Sequence, residues 1–128
     1  MNVGHLVVLV VPVSILGTEY TVTKKLFKDD PEFDKRSIEG YCDYLEKQIV
    51  YSDMTTYPGW EEETRERAII AEKQTIRHEI VHAFFDESGL SESTFKVDGA
   101  WAKNEEMVDL FALQGPKIYE AWKAADAL

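Results

Sequence analysis

The chain has 128 residues, 45% of them hydrophobic, and a formal net charge of -10. That length supports one domain, because two cores of half the size would each be marginal, and the apolar fraction excludes a wholly disordered chain. With 24 Asp and Glu against 14 Lys and Arg, the surface repels phosphate backbones, which excludes sequence-independent binding of nucleic acid.

A single cysteine, Cys42, excludes an intrachain disulfide framework and fits a reducing compartment. The longest apolar run, residues 6–16, is interrupted by Pro12 and Ser14 and is too short to span a bilayer. Residues 1–5 carry no Lys or Arg, unlike the start of a signal peptide. The expectation is a cytoplasmic protein without a membrane partner.

In chain order, residues 6–11 read as a β-strand, with residues 1–12 an apolar N-terminal extension. Residues 15–23 resume the strand pattern around a turn or bulge at Gly17. Residues 24–40 are charged, contain Pro31, and read as a surface loop with at most one helical turn. Residues 41–45 and 49–52 form a hairpin pattern across Glu46-Lys47-Gln48. The second of these strands is a candidate sheet edge for an extended peptide, with an ordinary paired strand as the alternative.

Residues 60–87 contain neither Gly nor Pro. Ile69, Ile76, Ile80, Ala83 and Phe84 follow a helical period, and Gly89 ends the pattern. A connection from residue 90 to 103 leads to a helix over 104–114. Gly115-Pro116 is expected to break it, leaving a short tail helix within 115–128.

The long helix carries His78-Glu79-Ile80-Val81-His82, an HExxH motif. Residues four apart share a helix face, so both imidazoles can reach one metal ion. Glu79, turned by about 100° from His78, can touch a metal-bound water without being a ligand itself. The alternative is a charged helix face whose histidines only solvate or pack. A zinc site needs a third protein ligand, and Asn104-Glu105-Glu106-Met107-Val108-Asp109 offers one on the later helix. Glu105 is the first choice and Asp109, one turn on, the second. With Glu105 as ligand, Asp109 can accept the spare N–H of a ligand histidine.

The six residues His78, Glu79, His82, Asn104, Glu105 and Asp109 resemble the pattern of the gluzincin metallopeptidases, the thermolysin clan. The surroundings of both motifs, together with Gly17-Thr18-Glu19-Tyr20 and Gly40-Tyr41-Cys42-Asp43, are similar to small phage-associated metallopeptidases of Gram-positive bacteria. The resemblance implies an α+β, zincin-like single domain over residues 1–128. In it a small twisted N-terminal sheet packs on the HExxH helix and on a C-terminal glutamate-bearing helix. It further implies one zinc ion held by His78, His82 and Glu105, catalysis by Glu79 acting on a zinc-bound water, Asp109 bonded to His78, and a peptide or protein substrate. The metzincin alternative fails, since it needs Gly at 85 and His at 88, where Phe85 and Ser88 stand. No histidine follows His82, so the histidine that assists thermolysin has no counterpart; Tyr51 and Tyr119 are candidates by residue type, each more readily a packing residue. The rival function is a zinc-stabilised phage protein that binds a partner with little or no turnover. Another possibility is latency, with the tail after Gly115 lying across the cleft.

Overall fold

The computed structural model describes residues 9–93 and 101–128; the readings placed on residues 1–8, including His5, and on 94–100 lie outside them. Strand β1 (Val10–Ile15) turns through Leu16 and Gly17, both at positive φ, into β2 (Thr18–Lys25). Two successive positive φ angles define the tight hairpin turn whose twist matches its strands. Among the described residues the first strand thus runs on to Ile15, past the expected end at residue 11, and includes Pro12. That is tolerated because β1 is an edge strand, where a missing N–H breaks no ladder.

A charged segment follows, with the short helix α1 (Pro31–Lys35) capped by Asp30, whose side chain accepts from Glu32 N–H. Strands β3 (Gly40–Asp43) and β4 (Gln48–Ser52) form the expected antiparallel hairpin. The sheet order is β1-β2-β4-β3, so β4 inserts parallel to β2 and leaves β3 outermost. The 49–52 strand is therefore paired on both sides and is not a sheet edge; β3 is.

Helix α2 (Arg65–Ser88) starts at Thr64, whose hydroxyl accepts from Arg67 N–H, and ends at Gly89 with φ 84. Its inner face is Ala68, Glu72, Ile76, Glu79, Ile80, Ala83 and Phe84. Ile69, expected on that face, is 41% exposed, one position off the stripe that Ala68 begins. Glu72 is buried and still satisfied: it takes Met54 N–H at 2.9 Å and Lys24 Nζ at 3.1 Å. A short helix α3 (Leu90–Ser93) follows.

Helix α4 (Glu105–Ala124) runs unbroken through Gly115 and Pro116. The expected break does not occur, because Ile118, Ala121, Ala125 and Ala127 bury themselves in the main core. Fully burying side chains of this kind outweighs the cost of one interrupted helical bond. Helices α2 and α4 contact each other; α2 covers β3 and β4, and α4 covers β1. The result is an α+β domain with both motif-bearing helices on the sheet. Among the described residues no helix is long and apolar enough to cross a membrane.

Candidate metal centre

Helical spacing brings His78 and His82 together on the exposed face of α2, with their Nε2 atoms 3.1 Å apart. Two imidazoles on one tetrahedral zinc hold their nitrogens about 3.3 Å apart, from Zn–N bonds of about 2.0–2.1 Å. The pair matches that separation; without metal, one N–H···N hydrogen bond spans the same gap. The ligand atoms of His78, Glu79 and His82 all lie within 4.8 Å of one another.

Glu79 differs from its neighbours in burial. It is 8% exposed, because its position on α2 turns it towards β3. Among the described residues it makes no hydrogen bond, and the imidazole Nε2 of His78 lies 3.9 Å away. Burial pushes its carboxyl above the usual range, against the opposing pull of His78, His82 and Arg36. A raised carboxyl is a stronger base, closer to what proton transfer near neutral pH needs.

A cleft of about 370 Å³ opens beside this group. One wall is the 37–40 segment leading into β3; the other is the α2 face carrying Thr75, His78 and Glu79. Nothing local in the sequence marks this wall, since residues nearly forty positions apart meet only through the sheet. Ser52 N–H donates to Glu39 O at 2.8 Å, so in the antiparallel ladder Tyr41 also faces β4. Gly40 and Cys42 therefore direct their N–H and C=O groups to the open edge. Cys42 is half-buried; burial, Asp86 and Glu79 push its thiol up to about 12, which suits a packed strand residue and not a nucleophile.

The later motif stands apart from this group. Asn104 caps α4 by accepting from Met107 N–H at 2.9 Å, which makes Glu105 the first helical residue. Glu105 and Asp109 are both exposed, and neither belongs to the His78, Glu79, His82 group. Their helix meets α2 at Phe85. Phe85 follows His78 and His82 at helical spacing on the same face, and its ring meets that of Phe111 at 6.5 Å. Of the two tyrosines singled out by type, Tyr51 is buried in the core and Tyr119 is an exposed residue of α4 beneath Lys123.

No protein-family model matches the chain, and no curated protein or solved structure matches it.

Proposed function

We propose that the chain is a zinc-dependent peptidase of the gluzincin type. One observation carries this reading: two imidazole nitrogens 3.1 Å apart on an open helix face, beside a buried carboxyl without a hydrogen-bond partner among the described residues. Buried ionisable groups without partners are costly and cluster where chemistry uses them. The donor set suits zinc, with His78 and His82 as ligands and Glu105 completing the set from the first position of α4. Asp109, one turn on, orients His78.

A bound zinc ion supplies Lewis acidity towards a substrate carbonyl and towards water. Glu79 then accepts the proton of the attacking water and delivers it to the leaving amine. The outward N–H and C=O groups of Gly40 and Cys42 hold the substrate as an added strand along β3, which sets its scissile bond over the cleft. The testing experiment is peptide hydrolysis by the zinc-loaded protein and by Glu79→Gln. The variant is expected to keep its metal and lose at least a hundredfold in rate; equal rates overturn the role of Glu79.

A second reading has support of its own. The position of Glu105 outside the histidine group, with Tyr51 buried in the core, favours a zinc-stabilised protein that binds a partner with little or no turnover. That reading expects stoichiometric zinc and no hydrolysis by the wild type.

A further inference from the structure

Arg36 caps the C-terminal end of α1, directly before the 37–40 wall of the cleft. Its guanidinium lies over the Tyr41 ring, with Cζ 5.7 Å from the centroid. Tyr41 is itself fixed, donating to Asp30 Oδ2 at 2.6 Å. Among the described residues, the one carboxylate paired with Arg36 is Glu32, whose Oε1 is 3.9 Å from Nη1, beyond hydrogen-bond length. The planar fork stacks on a fixed ring, and among the described residues no hydrogen bond occupies its side-chain donors.

The molecule as a whole carries a charge of -10, which repels anionic peptides at long range. An acidic peptide therefore needs a cation at contact distance. A stacked guanidinium loses little freedom on pairing and grips a carboxylate through two parallel hydrogen bonds.

We infer that Arg36 anchors a carboxylate of a peptide lying along the open edge of β3, so that the bound peptide carries an acidic side chain or its free C-terminus at that end. This inference rests on the peptidase reading for the identity of the bound chain. It leaves Arg36 a positioning residue for substrate, with no part in proton transfer.

The test uses full-length Glu79→Gln protein with one equivalent of zinc, which keeps the probes intact. Three probes are titrated: acetyl-tetraalanine with a free carboxylate, its C-terminal amide, and that amide with one alanine replaced by glutamate. At least one carboxylate probe is expected to bind about tenfold more tightly than the neutral amide, and the better of the two identifies the source. The preference falls with added salt. Adding Arg36→Gln abolishes it without changing affinity for the neutral amide, and Arg36→Lys keeps part of it. Equal binding of all three probes, no binding of any, or a preference that survives Arg36→Gln overturns the inference. Hydrolysis by the wild type separates the two proposals: turnover without the carboxylate preference removes only the anchor, and the preference without turnover removes only the peptidase.

Discussion

Gly40 and Thr75 approach so closely that a β-carbon on Gly40 would lie 2.6 Å from Thr75 Cγ2 and 2.9 Å from Val50 O. This contact sets the distance between the edge strand and the HExxH helix. The missing side chain at position 40 lets β3 lie directly against the turn of α2 that precedes His78. Gly40 belongs here for close approach, and its own φ is not in the left-handed region.

Gly40→Ala is expected to destabilise the domain by about 1–3 kcal/mol, the usual cost of overpacking, and to weaken zinc binding by shifting His78. Thr75→Ser in the same chain relieves the methyl contact and leaves the carbonyl contact, so it restores only part. Urea unfolding of the single and double variants, followed by metal titration, measures both effects.

Asp30 predicts an acid-sensitive step. Burial alone would push its carboxyl up, but the Tyr41 hydroxyl, Glu32 N–H and Lys25 together hold it below the usual range. The unfolded chain then binds a proton more readily than the folded one. The stability from Asp30 is fully present above about pH 4, the ordinary aspartate value, and is lost as pH falls through the lower folded value. Tyr41→Phe should narrow that loss, so that wild-type and variant stabilities converge in acid. Asp30→Ala also removes the α1 cap and is expected to cost about 1 kcal/mol at neutral pH. Unfolding midpoints from pH 2 to 7 supply the comparison.

The C-terminal segment is a core element and not a cover over the cleft. Ile118, Ala121, Ala125 and Ala127 pack with the sheet and α2. Arg77 and Lys73 donate to the carbonyls of Ala127 and Leu128 at 2.8 and 3.0 Å. Truncation after Gln114 is expected to unfold the protein, seen as lost cooperativity in thermal melts. A folded truncation with increased hydrolysis would restore the latent-enzyme idea.

The legible parts of the sequence were those governed by local rules. The α2 helix shows itself through a 3.6-residue period, and Gly89 marks its end because only a left-handed residue fits there. The β3–β4 hairpin follows from two short β-prone runs around a polar turn. The HExxH histidines converge for the same local reason, since four residues make about one turn. The parallel pairing of β2 with β4 was not legible, because it depends on β3 folding outward past its partner. Nor was the continuity of α4 through Pro116, which the burial of Ile118 and Ala121 decides. The cleft beside Glu79 stayed hidden because the 37–40 wall meets α2 only once the sheet has formed. The four-residue spacing puts Glu105 and Asp109 on one helix face but carries no information on how near α4 brings them to His78.

Zinc stoichiometry decides whether the two histidines and Glu105 hold one metal ion, with protein purified without chelators and dialysed against metal-free buffer. One zinc per chain is expected in the wild type and in Glu79→Gln, with at least tenfold weaker binding in Glu105→Ala and near-complete loss in His82→Ala. A zinc-free wild type that also takes up none when titrated would contradict it, and unchanged affinity in Glu105→Ala would remove that residue from the ligand set.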